Sequence, residues 1–170
     1  AELAKEMGGI ERIAKHYARG RLTVRERIDQ LLDEGSFHET GEITGKVSYD
    51  ETGQIKEFIP ANFVFGRGKV DGREVVVAGD DFTVRGGAAD ARIGNKSLYS
   101  LKLAEYLRLP LVNLVDGSGG GGSVKTLETM GATYVPGLPS WQNIVRLLSM
   151  VPVVGACMGS VAGLGSARVV

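Results

Sequence analysis

The stretches LRLPLVNLVDGSGG (residues 107–120) and LSMVPVVGACMGS (residues 148–160) repeat one pattern, in which a helix end precedes proline, a short apolar strand and glycines. Proline ends a helix and opens an extended segment, and a short, mostly apolar run is typical of a strand buried on both faces. Helices and strands that alternate in this way predict an α/β fold with parallel strands. Because such sheets bind ligands beyond the carboxyl ends of their strands, the glycines mark candidate sites.

The first part of the chain predicts two helices. Thr23 and Glu26 have the spacing of a capping box at the start of the second helix. The first helix has apolar residues at helical spacing, namely Ile10, Ile13 and Tyr17. We therefore expect an N-terminal helical hairpin over residues 1–36.

The remainder predicts a larger unit over residues 37–170. Asp71-Gly72 stands between two β-rich runs and is a strong hairpin signal. Residues 88–109 are typical of a long helix, and residues 141–150 predict another. The strands and helices of this unit would form one α/β core.

Composition limits the classes of function. Lys+Arg and Asp+Glu number 20 each, and a formal net charge of zero argues against nucleic acid or a membrane surface as the main partner. Cys157 is the only cysteine, so an internal disulfide is excluded and a reducing compartment is favoured. No apolar stretch approaches the ~20 residues that cross a bilayer, and the N-terminus lacks the apolar core of a secretory signal. We expect a cytoplasmic protein, or a mitochondrial matrix protein if the source is eukaryotic.

The glycine run at residues 116–125 invites two nucleotide-site hypotheses, and both fit poorly. Gly117, Gly119 and Gly122 satisfy G-x-G-x-x-G, but a run so rich in glycine matches almost automatically, and no acidic residue follows at the ribose distance of ~20 residues. Lys125-Thr126 is similar to the end of a phosphate loop, but valine precedes the lysine where that loop requires glycine.

A third hypothesis is an oxyanion site served by two turns, residues 117–122 and residues 155–160. Backbone N–H groups that converge on a developing negative charge lower a barrier by several kcal/mol. The simpler interpretation is that both sets of glycines only allow tight packing of helix on strand. The residues alone leave these two interpretations open.

Two longer stretches resemble a known family. GGIERIAKHYARGRLTVRERIDQLLDEGSFHE (residues 8–39) and GRGKVDGREVVVAGDDFTVRGGA (residues 66–88) are similar to signatures of carboxyltransferase (β) subunits of biotin-dependent acyl-CoA carboxylases, of the propionyl-CoA and methylcrotonyl-CoA carboxylase type. DGSGGGG and GACMGSVAG stand where that family has glycine turns. Order and spacing agree from residue 8 onward, over the N-terminal part of the family's chain.

The resemblance implies a crotonase (ClpP)-like α/β fold, a superhelix of repeated ββα turns that follows the helical hairpin. It implies transfer of CO2 from carboxybiotin to the α-carbon of an acyl-CoA through an enolate that backbone N–H groups stabilise. The family's chain is about three times longer, so we expect this chain to be a truncated part that supplies the acyl-CoA half-site and is inactive alone. The alternatives are a biotin-dependent decarboxylase subunit on the same scaffold and a noncatalytic oligomerisation fragment.

The resemblance also implies cofactors and partners. Biotin would be carried by a separate protein or domain, the substrate would be an acyl-CoA, and no metal is expected in this chain. The partners would be a biotin carboxylase or biotin carrier subunit and further copies of the chain that share the site. Nucleic acid and membranes are not expected.

Site residues follow from the resemblance position by position. Gly159 and Ser160 match paired glycines whose N–H groups hold the thioester oxygen. The residues that match positions near the CoA ester are Phe82, Arg85, Gly86, Gly87, Ser118, Gly119 and Gly120. Two departures stand out, because Ser160 replaces a glycine and Gly121-Gly122 replaces the alanine and arginine that are frequent there.

We interpret the other chemically conspicuous residues as structural. His16 is assigned to a structural or surface role, His38 to the surface, Cys157 to the core and Asp80-Asp81 to a turn. The N-terminal cations are interpreted as a salt-bridged helix pair with one face toward CoA phosphates or a partner subunit. These cations are Arg12, Lys15, Arg19, Arg21, Arg25 and Arg27.

Overall fold

The computed structural model describes residues 1–88, 95–118, 127–128, 131 and 140–169. Its helices are α1 (Glu2–Lys5), α2 (Ile10–Tyr17), α3 (Val24–Leu31), α4 (Lys96–Leu107) and α5 (Trp141–Leu148), with 3₁₀ turns at Arg85–Gly87 and Gly163–Arg168. Its strands are β1 (His38–Glu39), β2 (Gly45–Tyr49), β3 (Ile55–Pro60), β4 (Phe63–Val70), β5 (Arg73–Asp80), β6 (Leu111–Ser118) and β7 (Val153–Ala162). The α/β class predicted from the sequence is confirmed.

Five strands form one sheet in the order β1-β4-β5-β6-β7, and β2 and β3 form a separate antiparallel pair. β1, β4 and β5 pair antiparallel, whereas β5, β6 and β7 pair in parallel. Val76 pairs with Leu111, which in turn pairs with Val153. The carboxyl ends of β5, β6 and β7 therefore meet at one edge of the sheet.

Apolar side chains cover both faces of this sheet, because successive residues of a strand point to opposite faces. On one face, Phe63, Phe65 and Val76 pack with residues of α4 and α5 such as Leu101 and Leu147. The opposite face is covered by α3. The hydrophobic core on that face contains Val24, Ile28, Leu32, Val64, Val75, Val77 and Leu114.

The predicted hairpin is confirmed at the turn between β4 and β5. Asp71 and Gly72 both have positive φ, 48° and 75°, as the tightest hairpin turns require. The carboxylate of Asp33 accepts the N–H groups of both residues, at 3.0 and 2.8 Å. This contact ties the end of the helical region to the sheet.

The capping box is also confirmed, because Thr23 and Glu26 exchange side-chain to backbone hydrogen bonds at the start of α3. The helix predicted from Ile10, Ile13 and Tyr17 is confirmed as α2, but its apolar residues are not its buried ones. Ile10 is 88% exposed, whereas His16 on the same helix is buried. The imidazole Nε2 of His16 lies 3.0 Å from the carbonyl oxygen of Leu22, so the buried polar group has a partner.

Two expectations about element bounds are corrected. The long helix predicted from residue 88 begins at Lys96, because Ala88 is extended and Asn95 has a left-handed φ of 53°; residues 89–94 lie outside the described residues. The turn predicted at residues 155–160 is part of β7, which stays paired with β6 as far as Ala162.

Cys157 is exposed, so its assignment to the core is wrong. The apolar run around it predicted a strand covered on both sides. In the part of the chain that the structure describes, β7 is instead the last strand of the sheet.

Candidate functional site

The carboxyl half of β7 is irregular where it lies beside β6. Val115 of β6 pairs with Cys157 of β7, and Gly117 pairs with Val161. Three residues of β7 therefore lie opposite the single residue of β6 between these pairs. Gly159 and Ser160 lie in this β-bulge. A bulge leaves its extra residues outside the regular hydrogen-bond ladder, and that arrangement suits backbone N–H groups for binding a ligand.

The loop after β5 packs directly on the end of β6. Gly87 has φ +64°, and a Cβ at this position would collide with the carbonyl oxygen of Asp116. Gly117 has φ +129°, and a Cβ there would lie 2.7 Å from the carbonyl oxygen of Gly86. Both the space and the backbone conformation exclude side chains here. The structure thus brings together two stretches that the sequence proposed for the site.

Asp116 joins these stretches to the bulge. Its carboxylate is fully buried, and Oδ2 accepts a hydrogen bond from Arg27 Nη1 at 2.7 Å. A Cβ on Gly159 would collide with the same carboxylate, so only glycine fits at that position of β7. The backbone N–H of Asp116 donates to Asp80 Oδ2 at 3.1 Å, and Asp80 also forms an ion pair with Arg168.

Arg21 extends this network toward solvent. Its Nη1 lies 3.9 Å from Asp116 Oδ1, and its Nη2 donates to Ser160 Oγ at 3.5 Å. The guanidinium also lies 5.7 Å from the centre of the Phe82 ring, within range of a cation–π interaction. Phe82 also stacks on His16, with ring centres 5.8 Å apart.

A cationic pocket of about 180 Å³ opens beside Phe82. It is lined by Arg12, Lys15, His16, Arg19, Phe82, Thr83, Arg85 and Gly86. Among the described residues, Arg12, Lys15 and Arg19 have no acidic partner within ion-pair distance. A cluster of cations around a concave surface attracts anions.

Asp81 has a structural role, as the sequence suggested. Burial raises the pKa of Asp81 above its usual range, although Thr83 donates to it twice, from the hydroxyl at 2.5 Å and from the backbone N–H at 2.9 Å. The Thr83 hydroxyl oxygen in turn accepts from the N–H of Gly8 at 3.0 Å. Asp81 therefore holds the turn that anchors the N-terminal segment.

The site residues proposed from the sequence are partly brought together. Phe82, Gly86, Gly87, Gly159 and Ser160 lie around the ends of β6 and β7, and Arg85 lies in the cationic pocket. The backbone of Ser118 pairs with Ala162 in the sheet. Gly119 and Gly120, with the departure at Gly121-Gly122, lie outside the described residues.

Sequence reasoning missed the roles of Arg21, Arg27 and Asp116. The salt-bridged helix pair was the wrong interpretation for the first two, because their ion pairs run to β6 and not across the hairpin. The only available signal was an acidic residue at the end of an apolar strand. Among the described residues no group of three or more His, Cys, Asp or Glu side chains could hold a metal ion, and no described helix is long and apolar enough to cross a membrane.

Comparisons with known proteins agree with the resemblance. The chain matches the family described as carboxyl transferase domain over residues 15–166. It is 34% identical over 157 residues to the methylmalonyl-CoA decarboxylase subunit alpha of Propionigenium modestum, a match that covers 92% of this chain and 29% of that protein. It is 40% identical over 116 residues to the propionyl-CoA carboxylase beta chain of Saccharopolyspora erythraea, which covers 68% of this chain and 21% of that protein.

A solved structure is similar over nearly the whole chain. Transcarboxylase 12S, in a crystal with methylmalonyl-coenzyme A and methylmalonic acid bound, has 27% sequence identity and a TM-score of 0.74. The match covers 98% of this chain and 32% of the transcarboxylase chain. The chain therefore spans less than a third of the length of these relatives.

Proposed function

Because the chain belongs to the carboxyl transferase domain family, we propose that it forms the acyl-CoA half of a carboxyltransferase site in a biotin-dependent acyl-CoA carboxylase. The comparison with transcarboxylase 12S confirms the crotonase-like fold. The α-carbon of the thioester would lose a proton and gain a carboxyl group, and carboxybiotin, carried by a different protein or domain, would supply that group and take up the proton in its place. The observation that carries the proposal is the meeting of the Phe82–Gly87 loop, Gly117 and the β7 bulge at one edge of the sheet.

The bulge would stabilise the enolate. Loss of the α-proton places negative charge on the thioester oxygen, and two preorganised N–H donors at that position stabilise the charge by several kcal/mol. Gly159 and Ser160 are the donors proposed here. Because this role uses backbone groups, it explains why the site lacks a nucleophile paired with a base among the described residues.

The cationic pocket would bind the phosphates of coenzyme A. Phosphate groups carry full negative charges, and arginine binds them through several N–H donors at once. Arg12, Lys15, Arg19 and Arg85 line the pocket, and Arg21 and Phe82 stand between it and Ser160. This order along the surface suits a ligand with phosphates at one end and a thioester at the other.

The rest of the site would come from other chains or domains. The solved structure of transcarboxylase 12S is that of a hexamer and of a multienzyme core. We propose that this protein likewise assembles with further copies and with a biotin carrier. None of the described residues is assigned to biotin. The isolated 170 residues are therefore expected to transfer no carboxyl group.

A decarboxylase subunit is the second candidate. The relative from Propionigenium modestum is named for methylmalonyl-CoA decarboxylation, and that reaction would use the same enolate in the reverse direction. Assays of the full-length protein with propionyl-CoA and carboxybiotin, and with methylmalonyl-CoA and biotin, measure this transfer in its two directions.

Two substitutions at Ser160 test the proposed function. Proline at this position removes the N–H donor, whereas alanine keeps it. In the full-length protein, Ser160→Pro should lower the transfer rate by a factor of at least about 100, the range expected for one oxyanion donor. Ser160→Ala should keep the rate within about threefold. An active Ser160→Pro variant, or a wild-type protein that neither binds CoA thioesters in calorimetric titration nor transfers a carboxyl group, would overturn the proposal.

The pocket is tested by comparing two thioesters. Arg19→Gln should weaken binding of propionyl-CoA by about tenfold through the loss of a charged hydrogen bond to phosphate, and it should leave binding of propionyl-pantetheine, which has no phosphate, unchanged. Lys102→Gln, an exposed change on α4, is the control and should alter neither. Equal weakening of both thioesters by Arg19→Gln would contradict a phosphate site.

A further inference from the structure

Two arginines from the helical region each contact both β6 and the β7 bulge. Arg27 donates to Asp116 Oδ2 through Nη1 at 2.7 Å, and to the carbonyl oxygen of Met158 through Nη2 at 3.3 Å. Arg21 lies 3.9 Å from Asp116 Oδ1 and donates to Ser160 Oγ at 3.5 Å. Each guanidinium therefore bridges the two strands at the place where regular pairing is interrupted.

The bulge needs such support. Its extra residues lack the ladder hydrogen bonds that fix a regular strand. Backbone donors stabilise a transition state only when they are held at a set distance and direction, and a shift of about 1 Å can lower a rate by a factor of about 100. Residues next to the donors must therefore hold the bulge in place.

Asp116 is the centre of this support. Its carboxylate touches the Cα side of Gly159, and its backbone N–H is bound by Asp80. Oδ1 of Asp116 has no hydrogen-bond partner among the described residues, and Arg21 Nη1 lies 3.9 Å from it.

The local charge also suits the proposed chemistry. Asp116 and Asp80 face the guanidinium groups of Arg21, Arg27 and Arg168. These five groups carry one net positive charge beside the bulge. Positive charge at a site with little water favours the formation of an anion there.

We propose that Asp116 and Arg27 are positioning residues, which hold the N–H groups of Gly159 and Ser160 at the distance and angle that stabilise the enolate. This inference rests on the proposed function. The pair would act on the turnover step and not on the binding of the CoA ester, since neither side chain reaches the cationic pocket.

The test uses the full-length protein with its biotinylated partner and three variants. Asp116→Asn keeps the shape and removes the charge, and Arg27→Lys keeps the charge but cannot bridge two acceptors with a planar fork. Glu39→Gln is the matched control, because Glu39 forms a similar ion pair with Arg25 of the same helix at 2.7 Å but lies on β1. We measure kcat and KM for the CoA ester, with the melting temperature.

Asp116→Asn should lower kcat by a factor of about 10 to 100 and change KM by less than about threefold, with Arg27→Lys intermediate. Glu39→Gln should lower the melting temperature and keep kcat within about twofold. If Asp116→Asn does not fold, Arg27→Lys serves as the test, with the same expectation that kcat falls while KM changes little. An unchanged kcat in the variants at Asp116 and Arg27, or equal losses in Glu39→Gln, would overturn the inference.

A readout that does not need activity separates this inference from the proposed function. Hydrogen exchange at the amides of Gly159 and Ser160 should be faster in Asp116→Asn than in Glu39→Gln. If the wild-type protein transfers no carboxyl group but this difference is seen, the proposed function fails and the positioning role stands. If exchange at these amides is the same in both variants, the positioning role fails.

Discussion

Arg25 and Arg27 leave the same helix two residues apart and form ion pairs of the same length in different surroundings. Arg25 binds Glu39 of β1 at 2.7 Å, with side chains 22% and 9% exposed. Arg27 binds Asp116 of β6 at 2.7 Å, with side chains 5% and 0% exposed. Glu39 is also contacted by Lys96 at 3.5 Å. Arg25 thus contacts the edge strand β1, whereas Arg27 contacts the carboxyl end of β6, where the candidate site lies.

The two ion pairs differ in burial and in position, and we expect these differences to decide how much stability is lost when the arginine is removed. Glu39 has two cationic partners, Arg25 and Lys96, so it would keep Lys96 if Arg25 were removed. Asp116 is more deeply buried and has Arg21 only at 3.9 Å. A buried charge left without its partner is costly.

The largest effect is therefore expected for Arg27→Ala, which should lower the free energy of unfolding by about 3–5 kcal/mol. Arg25→Ala should lower it by about 1 kcal/mol, because that pair is partly exposed and Glu39 keeps Lys96. Urea unfolding of the full-length protein measures both. Equal losses would show that the two pairs do not differ as their burial implies.

A smaller effect is expected for Gly159→Ala, which places a methyl group against the Asp116 carboxylate. Forcing one methyl group into a filled space costs about 1–3 kcal/mol, and the shifted bulge should also reduce carboxyl transfer. Gly159→Ala combined with Asp116→Ala should recover part of the stability lost in the two single variants. If the two losses simply add, the contact between these residues is not tight.

The smallest effects are expected for the capping box, which stabilises the first turn of α3, the helix that carries Arg25 and Arg27. Thr23→Ala should lower the free energy of unfolding by about 1 kcal/mol. Glu26→Gln should cost a few tenths of a kcal/mol, because the group is partly exposed and solvent screens its interactions.

The capping box also predicts a pH dependence. The hydrogen bond from Thr23 lowers the pKa of Glu26 below its usual range. A carboxyl group whose pKa is lower in the folded state contributes stability above its unfolded pKa, about 4.3, and loses it as the pH falls through the folded pKa. The difference between wild type and Glu26→Gln should therefore be present at pH 7 and disappear in acid. A difference that stays constant with pH would contradict this assignment.

Local signals in the sequence predicted local structure well. The Asp71-Gly72 turn and the Thr23–Glu26 capping box depend on residues within a few positions of each other, and both are confirmed. The contact between Arg27 and Asp116 joins residues 89 positions apart, and nothing in a single sequence marks such a pair.

The glycines of β7 show why the rest of the site was harder to predict. Glycine permits a turn and a bulge alike, so the sequence could not distinguish the expected turn at residues 155–160 from the bulge that the structure contains. What decides between them is the pairing of β7 with β6 as far as Ala162. The assignment of Gly159 and Ser160 as donors stays a prediction.

A crystal structure of the full-length protein with a stable propionyl-CoA analogue would show whether the β7 bulge binds the thioester oxygen. We expect the thioester oxygen to lie about 2.7–3.1 Å from the backbone nitrogens of Gly159 and Ser160, with the phosphates of coenzyme A in the pocket lined by Arg12 and Arg19. A thioester bound elsewhere, with those two amides turned into the protein, would contradict it.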